Sequence, residues 1–151
     1  CHEWLQIGDG AICAQRLADD LTSALGEPEL LFTASSAPWT RSTPDAIGKR
    51  RGPAFVTDGP FLFHADGALQ MLWSSHGESG YAMGVATSES GTIAGPWHHR
   101  PDPLWGQDGG HGMVLHTREG VDLLVFHHPN SVPDERAVLI NLEEVATGCG
   151  P

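Results

Sequence analysis

Two polar positions stand at equivalent points of a repeated segment, and both carry side chains suited to acid–base or ligand chemistry. Asp58-Gly59 and His111-Gly112 are 53 positions apart, and the same spacing matches Trp73 with Phe126. Each copy has a polar residue and Gly, an apolar strand, a turn around Gly, a second apolar strand, and then polar residues. A repeat of this size built from short strands predicts one β-propeller blade per copy.

In a propeller, first strands begin and second strands end near the same face of the ring. This geometry predicts one mouth lined by His2, Glu3, Trp4, Asp58, Trp73, Ser74, Ser75, His76, His111, His127, His128, Pro129 and Asn130. Indoles stack on sugar rings, and carboxylates and imidazoles bind hydroxyls. Each residue alone is more simply interpreted as a turn former or a core residue. Their equivalence under the repeat favours a sugar site.

The motifs give little support to other kinds of site. Nine histidines occur, but no HxxxH, HExxH or CxxC spacing does, so a zinc site is a minor alternative. Nucleophilic catalysis is not predicted, because the sequence has no GxSxG motif and no cysteine in an electropositive setting. No GxGxxG or phosphate loop is present either, and we expect no organic cofactor.

Composition indicates a turn-rich β protein. The 151 residues include 19 Gly and 11 Pro, and 40% hydrophobic residues suffice for a packed core. The formal charge of −11 argues against nucleic acid and anionic membrane surfaces as partners. No apolar run reaches the length of a membrane span, and the compartment stays open. Cys13 lies in an apolar run and is expected to be a buried thiol outside any disulfide framework.

The whole chain, 1–151, is predicted to be the C-terminal part of a single all-β propeller domain. Residues 1–52 hold blade remnants, 53–105 form a complete blade and 110–145 form most of the last blade. Within these, 10–15 and 30–32 are predicted strands, 17–25 could form a helical turn, 34–52 is a polar connection, and 103–105 is the outer strand of the complete blade. Two to three blades cannot close a ring, which needs at least four. We therefore expect a fragment whose partners are the missing N-terminal blades, with pairing of identical chains as the alternative.

Several motifs together resemble the C-terminal half of glycoside hydrolase family 43. They are His-Glu-Trp, Asp-Gly-Ala-Ile-Cys-Ala, Thr-Asp-Gly-Pro-Phe-Leu, Leu-Trp-Ser-Ser, Gly-Tyr-Ala-Met-Gly-Val-Ala, Gly-Pro-Trp and Gly-Gly-His-Gly, spread over about residues 1–145. The resemblance implies a five-bladed β-propeller that hydrolyses arabinosides or xylosides with inversion. It also implies a calcium ion or an ordered water on the axis.

The resemblance assigns roles to individual positions. Asp58 stands where the family has its general acid, usually Glu, and Glu3 is a second candidate acid. His111 matches the axial His, expected to contact Ca²⁺ partly through water, and Arg136 resembles an Arg that points into the pocket. The expected substrate-binding residues are His2, Trp4, Trp73, Ser75, His76, His128 and Arg136. The catalytic base and the Asp that tunes the acid are expected outside this chain.

The sequence thus predicts part of an inverting glycosidase that cleaves arabinose- or xylose-containing plant polysaccharide and is inactive as this chain alone. Two alternatives stay open. One is a sugar-binding propeller without catalysis, and the other is a propeller that serves as an interaction platform.

Overall fold

The computed structural model describes residues 8–43, 46–47 and 50–146, and its fold is all-β with one short α-helix. The strands are β1 (Ala11–Ala14), β2 (Glu29–Thr33), β3 (Ala46–Ile47), β4 (Arg50–Arg51), β5 (Asp58–Ala65), β6 (Ala68–Gly77), β7 (Gly80–Ser88), β8 (Trp97–His99), β9 (Gly110–His116), β10 (Asp122–His128) and β11 (Arg136–Asn141). A 3₁₀ turn covers Ala34–Ser36, and α1 covers Leu142–Ala146. The prediction of an all-β propeller portion is confirmed.

The sheets of the described residues are all antiparallel, and the two larger ones are meanders. The central sheet has the order β5-β6-β7-β8, and a three-stranded sheet has the order β9-β10-β11. β1 pairs with β2, and β3 pairs with β4 inside the segment expected to be a polar connection. Tight turns at Asp66-Gly67 and near Gly120 join first to second strands, and the positive φ angles there (53°, 74° and 81°) suit such turns.

The central sheet is covered on both faces, which explains why its strands read as nearly continuous apolar runs. On one face, Trp73 packs with Phe32 and Trp39 from the preceding part of the chain. On the other, Leu72 packs in a cluster with Leu124 and Phe126 of the three-stranded sheet. Because side chains alternate along β6, this strand contributes to two separate cores, one on each face of the sheet.

The outer strand of the central sheet differs from the prediction. It lies at Trp97–His99, and Trp105 forms only an isolated bridge with Met83 farther along β7. The reason is that the chain pairs with the edge of β7 directly after Gly95-Pro96. It then separates from β7 and meets this strand again at Trp105. The expected helical turn over 17–25 is also wrong: Leu17 and Ala24 form an antiparallel bridge.

Cys13 corrects another expectation. It is only half-buried in β1, and it is disulfide-bonded rather than a free core thiol. Within the described ranges, no helix is both long enough and apolar enough to cross a membrane.

Candidate active site

Strand ends place the candidate site at one end of the two larger sheets. β5 begins at Asp58, which pairs with Ser74 near the end of β6. β9 begins one residue before His111, and β7 begins at Gly80. Asp58 and His111 therefore lie side by side at this end, as the repeat predicts.

Asp58 is held by three neighbours while remaining partly open to solvent. Its Oδ2 accepts a 2.8 Å hydrogen bond from the Tyr81 hydroxyl, and its Oδ1 accepts one of 2.8 Å from the Gly59 backbone N–H. His111 Nδ1 lies 3.4 Å from Oδ2. The Asp58 side chain is 47% exposed, so a substrate can still reach it.

Tyr81 was missed as a site residue by the sequence analysis. Its side chain is buried, at 5% exposure, although its hydroxyl reaches the mouth. Burial raises the pKa of Tyr81 far above its usual range, and the negative charge of Asp58 and the hydrogen bond to it act in the same direction. Tyr81 is therefore a neutral hydrogen-bond donor at any working pH.

His111 has a backbone conformation that its neighbours make possible. Its φ is +53°, which is uncommon for a residue other than Gly, and its N–H donates a 2.8 Å hydrogen bond to the Ser74 hydroxyl. The ring is 56% exposed. It lies so close to Gly59 that a Cβ there would come within 2.8 Å of ring atom Cδ2.

Two more histidines flank Tyr81. The His127 ring stacks on it with centroids 5.6 Å apart and an interplanar angle of 18°, and the His76 ring meets it edge-on at 5.7 Å. Burial lowers the pKa of His76, and the negative charge of Asp108 only partly offsets this. His76 is half-buried and is thus suited to bind a hydroxyl as a neutral imidazole.

A loop before β9 ties the two sheets together beside the mouth. Asp108, with φ +51°, accepts a 3.2 Å hydrogen bond from the Tyr81 backbone N–H through Oδ1. Its carbonyl oxygen accepts a bond from the Asn130 N–H and lies 3.1 Å from His128 Nδ1. The position of His128 is therefore fixed by a loop that also binds the backbone of Tyr81.

Arg136 lies at the rim rather than beside Asp58. Its guanidinium donates to the carbonyl oxygens of Pro133 and Glu135. It lines a shallow groove of about 440 Å³ together with His111 and His127. The predicted contact of Arg136 with substrate can occur only along this groove.

Trp73 and Ser75 do not reach the mouth. Both are fully buried, and Trp73 packs between Phe32 and Trp39 in the core. The strand alternation explains this, because Ser74 points to the β9 side and its two neighbours point to the opposite side. We therefore remove both from the substrate-binding set. The candidates His2, Glu3 and Trp4 lie outside the described residues.

Asp58 and His111 provide few ligands for the expected calcium ion. In the described part of the chain, no three His, Cys, Asp or Glu side chains converge to hold a metal. His111 and Asp58 come together without a third such ligand, whereas calcium takes six to eight oxygens. A calcium ion beside them would therefore keep water as most of its ligands.

Known proteins match the chain in sequence and structure. The family model of glycosyl hydrolases family 43 matches residues 1–144. The structure of an endo-arabinase from Bacteroides thetaiotaomicron VPI-5482 is 44% identical, with a TM-score of 0.84, over 93% of this chain and 49% of that one. No match was found among curated proteins.

Two further structures show the same fold at lower identity. A thermostable family-43 glycoside hydrolase is 22% identical, with a TM-score of 0.64, over 88% of this chain and 44% of that one. An endo-1,4-beta-xylanase from Bacteroides thetaiotaomicron VPI-5482 is 22% identical, with a TM-score of 0.62, over 87% of this chain and 46% of that one. The chain spans about half the length of these structures. With the family model covering nearly all of it, the chain belongs to glycosyl hydrolase family 43.

Proposed function

We propose that this chain contributes the leaving-group side of a glycosidase active site that hydrolyses arabinose- or xylose-containing polysaccharide with inversion. The observation that carries the proposal is Asp58, a partly exposed carboxyl at the mouth whose two oxygens are each fixed by a hydrogen bond. A partly exposed carboxyl held in a defined orientation is the group that proton transfer to a glycosidic oxygen needs.

Asp58 acts as the general acid in this proposal. A protonated carboxyl can still accept hydrogen bonds from Tyr81 and Gly59, because its oxygens together carry more acceptor sites than these two donors use. Its proton then passes to the oxygen of the departing sugar as the glycosidic bond breaks. Glu3 remains the alternative acid.

The inverting reaction also needs a carboxylate base on the opposite face of the sugar, roughly 6.5–9.5 Å from the acid, with a water between them. We propose that the base, and an Asp that tunes the acid, come from outside this chain. The chain spans only 49% of the endo-arabinase structure, which leaves room for them in the other half of the domain.

Arabinan is the substrate we favour. The 44%-identical structure is an endo-arabinase, whereas the xylanase is only 22% identical and supports the fold alone. An α-L-arabinofuranosidase or β-xylosidase specificity is the alternative within the same reaction class. His76 and His128 would bind sugar hydroxyls near Asp58, with Arg136 farther along the groove.

A hydrated calcium ion near His111 is part of the proposal. Asp58 and His111 present an oxygen and a nitrogen 3.4 Å apart, and the His111 side chain is more than half exposed. Bound there, the ion would supply fixed positive charge near the sugar.

The test is hydrolysis by the full-length natural protein of linear arabinan, arabinoxylan and xylan, with product anomers followed by ¹H NMR. Inverted product from arabinan, lost in Asp58→Asn, is expected. Retained product would contradict the mechanism. Binding of arabinan without hydrolysis would favour a non-catalytic sugar-binding propeller, and neither binding nor hydrolysis would favour an interaction platform.

A further inference from the structure

Tyr81 and Asp58 are joined although their strands are not neighbours in the sheet. β6 lies between β7, which carries Tyr81, and β5, which begins at Asp58. The phenol ring therefore crosses β6 beside Ser74 to place its hydroxyl 2.8 Å from Asp58 Oδ2. A contact across an intervening strand depends on the orientation of the ring, so the next question is what fixes the ring.

The ring of Tyr81 is fixed from several sides. His127 stacks on it, and the edge of His76 meets it. Gly110 is also pressed against it, because a Cβ there would come within 2.8 Å of Tyr81 Cε1. With Asp108 Oδ1 bound to its backbone N–H, Tyr81 has little freedom to turn its hydroxyl away.

From this arrangement we infer that Tyr81 is the positioning residue of Asp58. Its hydroxyl fixes Oδ2 while the Gly59 N–H fixes Oδ1, and the two bonds together set the plane of the carboxyl. The inference rests on the proposed role of Asp58. It adds that the neighbouring sheet, through His127 and Gly110, controls the orientation of the acid.

The experiment compares Tyr81→Phe with Ser88→Ala in the full-length enzyme. Ser88 is the matched control because it lies at the opposite end of β7, is buried, and donates its hydroxyl to the Thr92 carbonyl at 2.6 Å. Tyr81→Phe should lower kcat by about 10- to 100-fold, the scale for a misplaced catalytic group, with little change in KM. Ser88→Ala should leave kcat and KM unchanged.

Two outcomes separate the two proposals. If Asp58→Asn is inactive and Tyr81→Phe leaves kcat unchanged, the positioning role is overturned and the role of Asp58 stands. If Asp58→Asn is fully active, the proposed role of Asp58 fails, and with it the inference.

A second measurement does not depend on activity or on a folded Phe variant. Tyr81 is the single tyrosine of the 151 residues. In this chain labelled with 3-fluorotyrosine, ¹⁹F NMR should show one resonance that shifts in Asp58→Asn and not in Ser88→Ala. No shift in Asp58→Asn would overturn the hydrogen bond itself.

Discussion

Gly59 lies directly against the ring of His111, so closely that a Cβ at position 59 would meet ring atoms Cδ2 and Cγ at 2.8 and 2.9 Å. Both residues have positive φ angles, 52° and 53°. The contact joins the first strand of the central sheet to the first strand of the last one. Asp58 and His111 therefore keep their separation only while position 59 is Gly.

Asp58→Asn should remove the proposed proton donor and keep the fold. We expect a loss of about two to four orders of magnitude on substrates with poor leaving groups, the usual scale for proton transfer. The loss should be smaller on aryl glycosides, since their leaving groups need little protonation. The measurement is kcat/KM of the full-length enzyme on linear arabino-oligosaccharides and on aryl arabinofuranosides. Near-normal rates on both would remove Asp58 from the mechanism and favour Glu3.

The 151-residue chain by itself should have no glycosidase activity. An inverting mechanism needs a base opposite the acid, and the proposed base is outside this chain. Purified chain and full-length protein would be compared on linear arabinan and on aryl arabinofuranosides and xylosides. Turnover by the chain that Asp58→Asn abolishes would show that the base lies within these residues.

His111→Ala should release the proposed calcium ion. Metal analysis of the full-length protein should show bound calcium that the variant loses, with a fall in activity. His116→Ala is the control, since His116 is an exposed residue at the other end of β9. Its Nδ1 lies 2.6 Å from Asp122 Oδ1. A wild-type protein without metal, together with a fully active His111→Ala variant, would make His111 structural only.

His99 should make the fold less stable in acid. Burial lowers its pKa to about 4, and the nearby His98 adds to this, whereas an unfolded His titrates near 6.5. Between these values the unfolded chain binds more protons, so stability is full above about pH 6.5 and falls as the pH drops toward 4. The Nε2 of His99 lies 3.1 Å from the Ser36 hydroxyl oxygen, but its Nδ1 is buried without a partner in the described residues.

Thermal melts of His99→Gln against wild type from pH 7.5 to 4 would measure this effect. The variant should be the less pH-dependent protein, and His64→Gln, which changes an exposed residue of β5, should follow wild type. Parallel curves for wild type and His99→Gln would contradict the assignment.

The repeat made the position of the site predictable, because strand ends in a meander must meet at a shared edge. From the sequence alone, it places Asp58 and His111 together. It could not separate Ser74 from Trp73 and Ser75, since a strand covered on both faces has no polar alternation to show which side faces the mouth. That is why two of the predicted sugar contacts are core residues.

Tyr81 was missed for a different reason. The predicted mouth used only first-strand starts and second-strand ends, yet third strands begin at the same edge, as β7 does at Gly80. A single tyrosine directly after a Gly at that edge was the available signal. The contact across β6 itself could not be predicted, because it depends on ring packing by His127 and Gly110.

The alternation of β6 limits where the gene can tolerate inserted codons. Ser74 serves the mouth, and Trp73 one step away serves the opposite core, so one added residue at the Asp66-Gly67 turn that shifted β6 would exchange the two sets. The segment between β7 and β8 imposes no such parity, since residues 89–94 are exposed and lie beyond the end of the sheet. Randomised libraries or tags are best inserted there, because the length of that segment does not change which side chains face the mouth.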